Sequence, residues 1–321
     1  MPKVVPLNGR RTAQTGLAAG EVPPTTREGP ASPGRDRPAA SPVRTVPKAT
    51  VIENFKTLYP MPHVVAKAHR VIADPNSSLD RLAHVLRADP GLAGRIVKVA
   101  NSAYYRRRGN IASVQQASAL LGLQVVSQII TMVSQSRMLG QALSGYDMEA
   151  GELWRHSLAT AIFAEILAGK TGGEYSSEAF LAGLMHDAGK IILNPYLHRC
   201  GEVVQADSES RTTAVDAEIR ILGFEHADIG SELCIKWQLP VGLANAIRFH
   251  HMPRLSVDNG LAYILDLADF LAHRMVAPPD RPDAWDEVAD TLDRLGITPE
   301  KAAGMTAAVE ERLEMLEEET L

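Results

Sequence analysis

Ten histidines occur in this 321-residue chain. Five of them fall in polar-in-apolar settings between residues 150 and 255. In LAGLMHDAGKIIL, Leu181 to Leu193, an adjacent pair, His186 and Asp187, interrupts an apolar run, and Lys190 follows one helical turn later. Burying an imidazole beside a carboxylate is costly unless both are paired or metal-bound. In GELWRHSLATAIFAEILA, Glu152 and His156 are one turn apart and so share a helix face. His226 opens HADIGSELCIKWQLP, His250 and His251 are adjacent in AIRFHHMP, and Asp269 sits in the apolar LDLADFLA. Each of these residues alone reads as a satisfied core or capping group. Together they form a ligand set. Imidazole and carboxylate suit iron, manganese or zinc. Five histidines, two aspartates and a glutamate are enough for two ions sharing a bridging carboxylate. Such a pair can activate a water and clamp a phosphoryl group. Lys190 would then stabilise charge on that phosphate, and Lys190 and Asp187 are the expected catalytic residues.

The elements that must position these residues are helical. Val51 to about Leu139 shows helix-like spacing, with Leu92, Ile96, Val97 and Val99 following Asp89-Pro90, an N-cap with proline in the first turn. Ser77-x-x-Asp80 reads as a capping box for the helix before it. One further helix is expected to carry Leu120, Leu121, Val125, Val126, Ile129, Ile130 and Val133. No alternating β pattern of useful length occurs. A second helical region runs from Met148 to about His273. Thr298-Pro299 opens an acidic amphipathic helix through Val309, Leu313 and Leu316. The expected divisions are a proline-rich basic tail at 1–48, a helical bundle at 49–145, a second helical unit at 146–278, and C-terminal helices packed on the body at 279–321.

Composition narrows the function classes. Residues 1–48 hold nine of the 20 prolines and a net charge of +5, which leaves −10 on the remainder of a chain of net −5. That tail reads as a disordered linker. A body this acidic argues against general nucleic-acid binding. Tyr104-Tyr105-Arg106-Arg107-Arg108 interleaves aromatics with base and reads as a solvated loop with half-buried tyrosines, ahead of a phosphate or base contact. No run reaches the roughly 18 apolar residues of a membrane span, and the N-terminus lacks the apolar core of a signal peptide. Two cysteines, Cys200 and Cys234, are too few for a disulfide scaffold or a cysteine-based zinc site, so a reducing cytoplasm is the expected setting.

The ordered set His, His-Asp, His, His-His, Asp resembles the HD superfamily of metal-dependent phosphohydrolases. The segments DPGLAGRIVKVANSAYYRRRGNIASVQQASALLG, LWRHSLATAIFAEILA, LAGLMHDAGKIIL, HADIGSELCIKWQLP and LADFLA are more particular. They resemble the HDOD family, the HD-related output domain of bacterial signalling proteins, over about residues 51–316. The most specific marker is DPGLAGRIVKVANSAYY. The resemblance implies an all-α fold, an N-terminal helical bundle packed on an HD-like helical domain, and a signalling output role through a protein partner or a nucleotide ligand. Many HDOD domains have lost their HD ligands; this chain keeps His156, His186, Asp187, His226, His250, His251 and Asp269. The ligand order also resembles the HD-GYP branch of cyclic di-GMP phosphodiesterases, where the position matched by Glu152 can add a ligand for a further metal. This chain departs from that branch after HHM, where Met252 stands at the expected acidic position and no Gly-Tyr-Pro follows. Two functions are therefore expected to compete: a regulatory module with a metal site, and an active phosphohydrolase on a nucleotide or cyclic dinucleotide. Trp154, Tyr196 and Met252 are candidate lid or wall residues.

Overall fold

The computed structural model describes residues 46–58, 63–74, 76–102, 105, 110–173, 175, 178–200, 211–256, 259–276 and 284–320. The proline-rich tail before residue 46, and the basic loop apart from Tyr105, lie outside the described residues. Tyr105 itself is buried.

The fold is all-α. Among the described residues the β contact is one isolated antiparallel bridge, Leu143 with Met148. The first group of helices comprises α1 (Lys48–Leu58), α2 (His63–Ala73), α3 (Leu79–Leu86), α4 (Pro90–Ala100), α5 (Val114–Leu121) and α6 (Leu123–Leu139). Local chemistry sets their starts. Asp89 caps α4 by accepting from the Leu92 N–H at 3.0 Å, with Pro90 in the first turn. The cap of α3 is Ser78, one residue beyond the expected Ser77. Ser78 has the extended backbone a cap requires (φ −116°, ψ 157°) and accepts from the Arg81 N–H. Asp80 accepts instead from Gln115, tying α3 to α5. The single helix expected through Leu120 and Val133 is two. Gly122 at φ 86° breaks it, in a conformation other residues rarely adopt. Leu120 is left exposed, while Val126, Ile129, Ile130 and Val133 enter the core.

The second group is α7 (Glu152–Lys170), α8 (Ala179–Met185), α9 (Ala188–Cys200), α10 (Arg211–Leu222), α11 (His226–Lys236), α12 (Val241–Arg248) and α13 (Gly260–Val276). α7 packs against α8 and α13, and α11 against α9 and α12. Two glycines allow the closest crossings. A Cβ on Gly183 would stand 2.5 Å from the Ala161 Cα, and one on Gly189 would stand 2.0 Å from the His226 carbonyl oxygen. Helices α8 and α9 therefore touch α7 and α11 backbone to backbone, on either side of His186-Asp187.

The C-terminal helices are α14 (Ala289–Leu295), α15 (Pro299–Ala303) and α16 (Thr306–Thr320). Thr298 caps α15 as expected, but the chain turns at Gly304, so Val309, Leu313 and Leu316 belong to a separate helix. Those three residues are buried, and α16 packs on α4, α6 and α7. Glu165 of α7 accepts from Arg312 of α16 and from Gln128 of α6, and Arg155 of α7 pairs with Glu317. One apolar core runs from Val51 to Leu316.

Candidate metal centre

Each polar residue singled out in the second helical region lies at a helix end or on the face where helices meet. His156 is on α7. His186 and Asp187 form the turn between α8 and α9. His226 opens α11, His250 and His251 follow α12, and Asp269 is on α13. The fold brings these seven together. Ligating atoms of His226, His250 and His251 lie within 4.8 Å of one another, as do those of His156, His186 and Asp187, and those of His186, His250 and Asp269. His186, Asp187, His226, His250 and Asp269 are buried, and His156 and His251 are half-buried.

The imidazoles are oriented by what holds their other nitrogen. His186 Nδ1 lies 2.8 Å from the Gly183 carbonyl and His250 Nδ1 lies 2.6 Å from the Ile247 carbonyl. A carbonyl only accepts, so each Nδ1 carries the proton and each Nε2 presents a lone pair in the neutral ring. His226 Nδ1 faces both oxygens of Glu218, at 3.0 and 2.9 Å. The Nε2 atoms then converge. His156 and His186 meet at 3.2 Å, and His226 and His251 at 3.0 Å. His250 Nε2 is buried without a hydrogen-bond partner. Converging buried lone pairs are unfavourable unless a cation or protons occupy the space between them.

The carboxylates lie among these nitrogens. Asp187 spans the cluster: Oδ1 is 3.0 Å from His226 Nε2, while Oδ2 faces His186 at 3.4 Å, His156 at 3.5 Å and Lys190 Nζ at 2.7 Å. Asp269 Oδ1 meets His156 at 3.0 Å and His186 at 3.4 Å. Neighbouring charges dominate the protonation of these groups. Burial opposes the charged form of Asp187, but the charges of His186, Lys190 and His226 hold its carboxyl well below the usual range. Burial would lower His226, yet Glu218 and Asp187 drive it up to about 10. His186 is raised because Asp187 and Asp269 outweigh its burial. His250, buried and beside His186 and His226, is lowered to about 3. Lys190 is raised, its burial outweighed by Asp187.

Glu152 is not brought into the cluster. It is exposed at the start of α7, where its carboxylate accepts from the Glu149 N–H at 2.9 Å. Of the candidate wall residues, Trp154 is fully buried in the core, Tyr196 accepts from Asn54, and Met252 is exposed beside His251. Three residues that the sequence did not single out join the site. Glu218 supports His226 from α10 and accepts from both the His226 N–H and the Tyr146 hydroxyl. Tyr146 lies in the connection between α6 and α7, and its hydroxyl pKa is driven well above its usual value by burial and by Glu218. His273 stands one turn after Asp269 on α13, a spacing that could have been read from the sequence.

Residues 58–253 match the family model of the HDOD domain. The chain belongs to the HDOD family. Its fold is shared with solved proteins. One is a provisionally named phosphohydrolase of Shewanella amazonensis SB2B, 21% identical, with a TM-score of 0.65 and coverage of 85% of this chain and 98% of that one. Another is a provisionally named signal transduction protein of Marinobacter aquaeolei VT8, 24% identical, with a TM-score of 0.64 and coverage of 85% and 64%. At these identities the likeness is one of fold. An uncharacterized protein of Treponema pallidum (strain Nichols) is 25% identical over 207 residues, 63% of this chain; the HDOD chain spans 39% of that protein's length. No described helix of this HDOD protein is long and apolar enough to cross a membrane.

Proposed function

We propose that this HDOD protein is a cytoplasmic bacterial signal-transduction regulator that holds two divalent ions, iron, manganese or zinc, and acts by binding a nucleotide or a protein partner. The observation that carries the metal reading is the convergence of the His186, His226 and His250 Nε2 atoms, each with its Nδ1 committed to a carbonyl or carboxylate. Support for two ions comes from Asp187, whose oxygens face opposite halves of the cluster. His226, His250, His251 and Asp187 Oδ1 would hold one ion. His156, His186, Asp187 Oδ2 and Asp269 would hold the other. The signalling role follows from family membership and accords with the Marinobacter relative's name.

A second reading, an active phosphohydrolase on a nucleotide or cyclic dinucleotide, is favoured by the complete donor set and by Lys190. Two bound ions would polarise a water and neutralise a phosphoryl group. The chain's own residues would do the rest. Asp187 would span the ions, and Lys190, held at 2.7 Å, would fix that carboxylate and supply positive charge to an incoming phosphate. The half-buried edge at His156 and His251 gives a ligand its way in. The acidic body leaves nucleic acid outside either reading.

Elemental analysis of anaerobically purified protein tests the metal reading. The expected result is about two ions per chain, both lost in Asp187→Ala. Metal-free wild-type protein overturns it. A nucleotide panel on the loaded protein then separates binding from turnover: calorimetric binding without product supports the regulator, and product that Asp187→Ala fails to form supports the hydrolase.

A further inference from the structure

A cavity of about 310 Å³ lies between α3, α4 and α5, helices that hold none of the residues of the metal centre. Ligand pockets span roughly 300–1,000 Å³, so this one suits a side chain better than a dinucleotide. Ala83, Val97 and Val114 make its wall apolar, and Arg87 and Gln115 are the polar groups on it. Arg87 Nε donates to the Ala83 carbonyl at 3.3 Å, which holds the guanidinium against that wall. Gly94 of α4 keeps part of the cavity open, since a Cβ there would meet nothing within 4 Å. Charge sets the region apart. Residues 79–115 hold seven Lys/Arg against two Asp/Glu, a net +5; residues 49–321 together carry −10, so the rest of the body carries −15. Both carboxylates of the region are engaged locally: Asp89 caps α4, and Asp80 accepts from Gln115. The Asn101 side chain bonds the Val97 carbonyl at 2.9 Å and both the N–H and the carbonyl of Ile111, at 2.9 and 2.7 Å. The chain that carries Arg106, Arg107 and Arg108 therefore leaves and returns beside the cavity wall.

We propose that this cavity is the docking site for an acidic protein partner, a segment of which inserts one large apolar side chain between α3, α4 and α5 and sets its carboxylates against the basic surround. The assignment rests on the regulator reading above, for which it names the partner's chemistry, and it uses no residue of the metal centre. An apolar anchor in a pocket ringed by charge divides the work of recognition: the anchor supplies affinity, and the charges supply encounter rate and selection. The sign of the surround selects the partner. A basic segment is repelled here and attracted to the rest of the body, whereas an acidic one is attracted here and repelled elsewhere. A nucleic acid shares the negative sign, but its uniform charge extends past a patch of this size and meets the −15 of the remaining body. A short acidic segment does not.

Fluorescence anisotropy on the full chain tests this, with labelled peptides in which one Leu, Met or Phe is flanked by Asp and Glu, and a matched set flanked by Lys. At least one acidic peptide is expected to bind saturably and the Lys set not at all, with an affinity that falls as salt rises from about 50 to about 300 mM. Gly94→Leu fills the cavity from a position where the added atoms meet open space, so the fold is retained. Its peptide affinity is expected to drop by about tenfold or more. Arg87→Glu, at an exposed position, is a second and independent variant and is expected to weaken binding in the same direction. An unchanged circular dichroism melt and metal content in both variants show that the loss is local. No binding by any acidic peptide, equal binding by the Lys set, or an acidic peptide that binds either variant as well as the wild type overturns the docking site. A single-stranded oligonucleotide that binds the wild type but not Gly94→Leu overturns the choice of partner. Peptide failure in metal-loaded protein overturns this proposal alone, and metal-free wild-type protein that still binds the acidic peptide overturns the two-ion reading alone.

Discussion

Glu218 is fully buried behind the cluster, where it sets the state of His226. Its carboxylate faces His226 Nδ1 and also accepts from the His226 N–H. Groups behind a ligating imidazole fix its orientation and raise its basicity. Glu218→Gln keeps the shape and removes the charge, so metal affinity is expected to fall by about 10–100-fold with the fold intact. Competition against a chelator measures this, and an unchanged affinity would assign Glu218 a purely structural role. At this scale the sequence was informative where polar residues interrupt apolar helices: His186-Asp187, His250-His251 and Asp269 stand out because burial demands a reason for them. It was silent about Glu218, in a helix whose acidic residue looks like any surface charge, and it over-read Glu152. Helical spacing places a residue on a face, but not which neighbour its side chain takes. A free N–H at the start of α7 was the nearer partner.

Among the elements, the turn between α8 and α9 depends on two glycines that act through absence. Gly189 brings α9 so near α11 that any side chain would overlap the His226 carbonyl. Gly189→Ala must separate α9 from α11, beside the contact between Asp187 and His226. We expect a loss of about 1–3 kcal/mol, the range for overpacking a dense core, together with weaker metal binding. Chemical denaturation and a metal titration on the same sample check both; a stability within 0.5 kcal/mol of wild type, about that of an innocuous surface change, would show that the interface can yield. Element starts were legible wherever a cap and a proline coincide, as at Asp89-Pro90 and Thr298-Pro299. Interruptions were not. Gly122 and Gly304 end helices inside continuous apolar periodicity, because tertiary packing redirects the chain there while the local pattern still favours continuation.

For the whole molecule, the all-α class was readable because apolar residues recur at helical spacing over nearly every segment, and the family because DPGLAGRIVKVANSAYY and the segments around His186-Asp187 resemble it. The placement of α16 was not: amphipathicity says that a helix docks, but not on what. Its seat on α4, α6 and α7 is specified by Arg312, Glu165 and Gln128, which lie far apart in sequence. Stability against pH is another property of the whole chain. His69 of α2 stands 3.2 Å from Thr131 of α6, and burial lowers its pKa from 6.5 to about 4. Between those values the unfolded chain takes up a proton that the folded one refuses. The stability associated with a neutral His69 is therefore complete above pH 6.5 and is lost as pH falls toward 4. His69→Gln should show a shallower decline across that window, measured by denaturation at pH 7, 5.5 and 4.5 after metal removal; parallel curves for the two proteins would refute the assignment.

The hydroxyl of Tyr146 ends in the same carboxylate that stands behind His226. Tyr146 belongs to the chain segment linking α6 to α7, so the linker and the metal-facing imidazole draw on one negative charge. A shift of the linker that withdraws the phenol leaves more of that charge to His226, and a changed demand at His226 loosens or tightens the phenol in return. The linker between α6 and α7 and the imidazole of His226 thus share one buried negative charge.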